Sequence, residues 1–195
     1  MLSNKEKRVT EKDAEEAIRT LLLWIGEDIN REGLLETPSR VIKSYAERFH
    51  GYNLDPNIVL SKQFSEREGY NGIITLSNIE FESTCEHHLA PIIGKATIGY
   101  IPTDKIVGIS KLARVVQIFA KRLQLQERLT AQIANAIQDN LNPSGVAVII
   151  KGKHHCICYR GIKSRASEMF TSSFLGRFET EPELIKQFID ITNIQ

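Results

Sequence analysis

The sequence has 195 residues, of which 42% are hydrophobic and 25% charged, with a formal net charge of +1. This is the composition of a soluble globular chain with a real core, either one domain with a helical extension or two small domains, and its charge balance sets up no global field toward nucleic acid or membrane. No apolar run approaches membrane-spanning length and the first eight residues form no apolar leader, so a cytoplasmic protein whose three cysteines are thiols is expected.

Thr10 and Asp13 read as a capping box, followed at helical spacing by Ala14, Ala17, Ile18, Leu21, Leu22 and Ile25, with Gly26 as the stop. A second helix is expected from Thr37 as N-cap and Pro38 at the first helical position, with Val41, Tyr45 and Phe49 on one face and Gly51 at its end. Arg40 sits in its first turn, where it is either solvated or in contact with an anion. Residues 51–72 read as loop, which places a boundary between a helical arm over 1–70 and a core over 71–195.

Residues 73–76 and 79–83 read as two strands and 94–101 as a third. Ser110 suits the N-cap of a helix with the apolar stripe Leu112, Val115, Val116, Phe119 and Leu123; Lys111 and Arg114 lie side by side off that stripe. A second helix, entered through Gln126 and Glu127, carries Leu129, Ile133, Ile137 and Leu141 and is broken at residues 142–145. Residues 146–150 form a buried strand that runs on, so that period two puts His154, Cys156, Cys158 and Arg160 on one face. A Ser/Thr-rich stretch and a last helix, with Leu184, Phe188 and Ile191, close the chain. Without βαβ alternation, the order argues an α+β fold: an antiparallel sheet with helices on one side.

Two short stretches, residues 85–88 and 154–158, hold all three cysteines and four of the five histidines. Thiolate and imidazole are both zinc ligands, and the paired C-x-x-C knuckles of a structural finger are missing. The residues therefore favour a three-ligand site with an open position: Cys85, His88 and one of Cys156 or Cys158. His87 and His154 are then spare imidazoles, suited either to acid–base work or to support of the ligands. Lys111, Arg114, Arg160 and Arg40 are of the kind that holds phosphate. Glu127 is either a first-turn dipole partner or the acceptor of two parallel N–H bonds from a guanine edge.

Seven stretches carry a resemblance to one family: S-T-C-E-H-H-L at 83–89, G-K-A-T-I-G-Y-I-P at 94–102, G-I-S-K-L-A-R at 108–114, R-L-Q-L-Q-E-R-L-T at 122–130, H-x-C-x-x-x-R-G at 154–161, E-G-L-L-E-T-P-x-R at 32–40 and T-S-S-F-L-G at 171–176. In this order, over about residues 12 to 190, they strongly resemble GTP cyclohydrolase I. The resemblance implies conversion of GTP and water to 7,8-dihydroneopterin triphosphate and formate, the entry step to folate and other pterins. It implies zinc held by Cys85, His88 and Cys156, attack of a zinc-activated water on carbon 8 of the purine, protonation of nitrogen 7 by His154, and assistance in ring opening by His87. Gln126 and Glu127 match the guanine-recognition pair; Ser110, Lys111, Arg114, Arg160 and Arg40 match positions that hold ribose and triphosphate. The implied fold is the tunnelling fold, an antiparallel sheet backed by two antiparallel helices, assembled as a homodecamer of two stacked pentamers with active sites shared between subunits. Arg40 would come from a neighbouring chain, and the family is regulated allosterically. Cys158 and Tyr159 stand at positions that vary in it.

Overall fold

The computed structural model describes residues 9–66 and 68–193. Residues 1–8, read above for an apolar leader, lie outside the described residues, as do Arg67 of the charged run and residues 194–195. By its internal contacts the chain divides into two compact units, between Arg48 and Phe49.

The first unit holds helices α1 (Glu11–Ile25) and α2 (Thr37–Arg48), packed on each other. The expected capping box is present: Asp13 N donates to Thr10 Oγ1 (3.2 Å) while Thr10 N donates to the Asp13 carboxylate (2.9 Å). The stop falls at Gly26. Thr37 is the first residue of α2 rather than its cap, and its hydroxyl donates back to Gly33 O (3.4 Å). No residue of α1 is buried, and Leu21, Trp24 and Ile25 are exposed.

In the second unit, residues 51–72 are not simply loop. They contain α3 (Pro56–Leu60) and the short strand β1 (Gln63–Phe64). Asp55 caps α3 by accepting from Asn57 N (2.9 Å), and Leu60 is fully buried in the main core. That burial places the segment with the second unit, so the division found lies upstream of residue 70.

The two strands read at 73–83 are one, β2 (Ile74–Cys85). Its register slips between Leu76 and Ile79, where Asn78 takes a left-handed φ of 56°, and the bulge breaks the alternation that a sequence reading follows. Next come β3 (Pro91–Ile101), β4 (Ile106–Val107), α4 (Ile109–Ala120), β5 (Leu123–Gln124), α5 (Gln126–Leu141) and β6 (Gly145–His154). After them lie the single turn α6 (His155–Cys158), β7 (Met169–Gly176), α7 (Arg177–Thr180) and α8 (Pro182–Thr192). Ser110 does not cap α4. Gly108 holds that position without a side-chain bond, and Ser110 is the helix's second residue.

The main sheet runs β5-β2-β3-β6-β7 and is antiparallel except where β5 joins the end of β2. On one face the stripes expected for α4 (Leu112, Val115, Val116, Phe119) and α5 (Leu129, Ile133, Ile137, Leu141) bury Ile98, Tyr100, Val148 and Ile150, while Leu123, read on the α4 stripe, falls in β5 because the helix ends at Ala120. This is the α+β, helix-backed antiparallel sheet of the tunnelling fold. Helices are not confined to one face, however. Phe178 and Phe188, from α7 and α8, form a second cluster with Ile73, Ile101 and Ala147. Ile101 in β3 and Ala147 in β6 alternate with the residues facing α4 and α5, so they belong to the opposite face.

Tyr100 is fully buried, and its hydroxyl accepts from Val107 N (3.1 Å). Burial raises its pKa, against a smaller opposing effect of that hydrogen bond. The folded state therefore keeps the phenolic proton longer than the unfolded chain, so stability falls as pH rises through the unfolded value of about 10. Tyr100→Phe should cost roughly 1–2 kcal/mol at neutral pH by leaving a buried N–H unpaired, and should flatten the alkaline fall. Urea unfolding at neutral and alkaline pH measures both; an unchanged alkaline slope in the variant would assign the fall to another group.

Candidate metal centre and active site

The site is built where β2 and β6 end on either side of the start of β3. Thr84 pairs with Pro91 and His154 with Ile92, so this register brings the end of β2 beside the end of β6. Past Cys85 the chain reverses through a turn closed by Leu89 N donating to Cys85 O (2.9 Å) and Cys85 N donating to Ala90 O (2.8 Å). Leu89 takes a left-handed φ of 53° to complete it. The turn folds His88 back until its Nδ1 lies 3.9 Å from Cys85 Sγ. The strand-end placement expected for this stretch is thus found.

The strand expected through residues 154–160 is not. The β3 ladder stops at His154 and the β7 ladder at Gly152, so the next residues have no strand to bond with. They satisfy their backbone in a helical turn instead, α6. A turn separates residues that a strand would align. Cys156 joins Cys85 and His88, whereas Cys158, buried as Cys156 is, donates its thiol to His154 O (3.2 Å).

The ligand atoms of Cys85, His88 and Cys156 all lie within 4.8 Å of one another, the one such group among the described residues that could hold a metal ion. Zinc bonds of about 2.3 Å to sulfur and 2.1 Å to nitrogen put tetrahedral ligand atoms roughly 3.6–3.8 Å apart, so this donor set fits with a small contraction. Two thiols and an imidazole are the soft and borderline donors that zinc takes, and three donors leave a fourth position open. Burial pushes the Cys156 thiol above its ordinary pKa, helped by the neighbouring Cys85 and opposed by the Arg160 guanidinium.

Around the triad the structure assembles some of the expected residues and not others. Burial lowers the pKa of His154, and the Glu127 carboxylate, near enough to be felt, pulls it back up. His87 is exposed on the turn, edge-on to His88 with ring centroids 6.2 Å apart. Glu127 is exposed in the first turn of α5, but its neighbour Gln126 is wholly buried with both ends of its amide in use. The Gln126 side chain is therefore not presented to a ligand as the family match implies.

Ser110 and Lys111 open α4 and Arg114 follows one turn later, on a helix whose opposite end lies against β2. Gln117 Nε2 donates to Glu80 O (2.7 Å) and Lys121 lies 3.8 Å from Glu82, so α4 runs along β2 toward the metal end. Its first turn is at the other end, since the ten residues from 110 to 120 rise about 15 Å. Arg40 belongs to the first unit, where it pairs with Glu36 at 2.6 Å.

Arg128 was missed from sequence. Its guanidinium pairs with Glu86 inside the Cys85–His88 turn, and also donates to Leu123 O (2.8 Å) and Gln124 Oε1 (3.1 Å). Glu86 N donates to Gln124 O (3.1 Å), so the turn is clamped to β5 and to α5. An arginine in a helix's first turn reads as solvated, and no spacing signals the partner far upstream.

Fold and site together define an α+β protein, an antiparallel sheet backed by helices, with a Cys–His–Cys group able to hold a metal ion. The chain belongs to the GTP cyclohydrolase I family, whose model matches residues 14–193. The GTP cyclohydrolase 1 of Sinorhizobium fredii is 50% identical over 191 residues, spanning 98% of this chain and 93% of that protein. That of Brucella anthropi is 52% identical over 183 residues (94% and 86%), and that of Hyphomonas neptunium 50% identical over 185 (95% and 90%).

Replacing Cys85, His88 or Cys156 by serine should each strip the metal, because three donors leave none to spare, whereas Cys158→Ser should keep it. Metal content of the purified variants decides this; a metal-free Cys158→Ser protein would contradict the ligand set.

Proposed function

We propose that this chain converts GTP and water to 7,8-dihydroneopterin triphosphate and formate, with zinc held by Cys85, His88 and Cys156. The observation that carries the reading is the clustered Cys–His–Cys group beside the half-buried imidazole of His154 and the exposed carboxylate of Glu127. Zinc bound there supplies a water acidic enough to act as nucleophile near neutral pH. Glu127 accepts two N–H bonds from the guanine edge and so orients carbon 8 toward the triad. His154 delivers a proton to purine nitrogen 7 as carbon 8 is attacked, and a pKa lowered by burial suits a ring that must both take and give a proton. His87, on the exposed side of the turn, moves the proton needed when the ring carbon–nitrogen bond breaks.

Arg160, beyond Cys156, holds phosphate from the same chain. Ser110, Lys111 and Arg114 stand at the far end of α4, so on this reading they serve the site of a neighbouring subunit, as Arg40 does. Two further features favour such an assembly. Most of the outer edge of β2 and the whole outer edge of β7 have no partner strand among the described residues. The exposed Leu21, Trp24 and Ile25 of α1 form an apolar patch on a helix with no buried face. The assembly proposed is a homodecamer of two stacked pentamers, a helical arm preceding each catalytic core, open to allosteric control. No described helix is long and apolar enough to cross a membrane; cytoplasmic placement and the absence of nucleic-acid partners complete the reading.

Incubation of the pure protein with GTP should release formate and produce a pterin chromophore; neither product would appear if the reading were wrong. Glu127→Ala should abolish turnover, and the wild type should discriminate against ITP, which lacks the exocyclic amine, by about 10⁴ or more. Comparable turnover of ITP would show that Glu127 does not read the base.

Shared sites make a separate prediction. Inactive Arg40→Ala and His154→Ala chains, dissociated, mixed equally and reassembled, should regain about a quarter of the sites, as independent draws in a closed ring. A confirmed hetero-oligomer without activity would remove Arg40 from its neighbour's site.

A further inference from the structure

Gln126 opens α5 but is wholly buried. Its Nε2 faces three acceptors, Ile150 O (3.2 Å), Met169 O (2.9 Å) and Thr171 Oγ1 (3.1 Å), and its two hydrogens are shared among them. Two of those partners are carbonyl oxygens, which only accept, so this end of the amide is the NH2 and the other is the oxygen. The oxygen, Oε1, lies 2.9 Å from His154 Nε2. An amide oxygen also only accepts. His154 must therefore carry a hydrogen on Nε2.

Neighbouring groups lock this arrangement. Thr130 Oγ1 donates to Gln126 O (2.8 Å) and lies 2.7 Å from Thr171 Oγ1. With the Thr130 hydrogen committed to Gln126 O, Thr171 is the donor of that pair and remains an acceptor for the Gln126 amide. The direction of every bond then follows, and the amide cannot flip. The backbone makes room as well: a Cβ on Gly152 would lie 2.3 Å from Gln126 Oε1. A glycine in β6 thus leaves the space that the amide oxygen fills.

We propose that Gln126 is a positioning residue that holds His154 as the Nε2–H tautomer, leaving Nδ1 as the ring atom that exchanges protons, and that its side chain does not read the guanine. The inference rests on the proton-transfer role proposed above for His154. It depends on donors and acceptors, and so describes the neutral ring whatever its pKa. Ties to β6 and β7 through Ile150, Met169 and Thr171 fix the plane of the imidazole against the sheet. Recognition of the base is left to Glu127, the exposed member of the pair.

The tautomer can be read without substrate, which separates this inference from the assignment of the reaction. In the metal-loaded oligomer labelled with ¹⁵N-histidine, solid-state NMR should show the neutral His154 ring, identified by its loss in His154→Ala, with the hydrogen on Nε2. A hydrogen on Nδ1 would overturn the proposal even if GTP is turned over as expected. Kinetics give a second arm. Gln126→Met keeps the length but loses the amide; its kcat should fall roughly 10²-fold, the scale of a general acid–base contribution, with KM for GTP and discrimination against ITP kept. Added to His154→Ala, it should cost nothing further. A raised KM with kcat kept would mean that Gln126 reads the base after all. Should Gln126→Met fail to fold, the wild-type tautomer still decides.

Discussion

The structure depends first on the register with which β3 pairs to β2 on one side and β6 on the other. Ligands far apart in sequence become neighbours only because Thr84 faces Pro91 while Ile92 faces His154. A slip of one residue would turn Cys85 and its neighbours to the other face of the sheet. The pleat that aims Phe81 and Cys85, Ile98 and Tyr100, and Val148 and Ile150 into one core holds the register in place. Burial of the core and alignment of the metal ligands are thus the same constraint.

Where the ladders stop, the site begins. Cys85 is the last residue of β2 and His154 the last of β6, and each is followed by a compact turn that closes its own hydrogen bonds. Both turns are tied down from α5. Arg128 grips the first through Glu86, and Gln126 holds His154 at the mouth of the second. Consecutive residues Gln126, Glu127 and Arg128 therefore do three different things from one helical turn: they hold an imidazole, face solvent beside it, and brace the loop that carries two candidate metal ligands. Such crowding explains how a helix entrance becomes part of the candidate site without itself supplying a ligand.

Much of this was legible in the sequence where one local rule acts alone. The capping box of Thr10 and Asp13, the stripes of α4 and α5, and the turn after Cys85 follow from nearest-neighbour chemistry. The metal cluster was legible because Cys and His are scarce and crowd into two stretches. What escaped depends on partners distant in sequence. Strand β7 is rich in serine and threonine and, among the described residues, pairs on only one side, so it lacks the apolar signature of a central strand. Residues 155–158 alternate like a strand but have nothing to pair with. Gln126 looks like a solvent-facing residue of a helix entrance until Ile150, Met169 and Thr171 surround it. Separation of Cys156 from Cys158 came from the family resemblance, and the geometry of α6 now supplies its physical reason.

The central claim is that two thiolates and one imidazole hold the metal and leave one position to water. X-ray absorption at the metal edge of the purified, metal-loaded protein tests it most directly. The account predicts a first shell of two sulfurs at about 2.3 Å and two lighter atoms, one an imidazole nitrogen and one an exchangeable oxygen, at roughly 2.0–2.1 Å. A shell of three sulfurs would bring Cys158 into the site, and a shell closed by four protein ligands would contradict an open, catalytic metal.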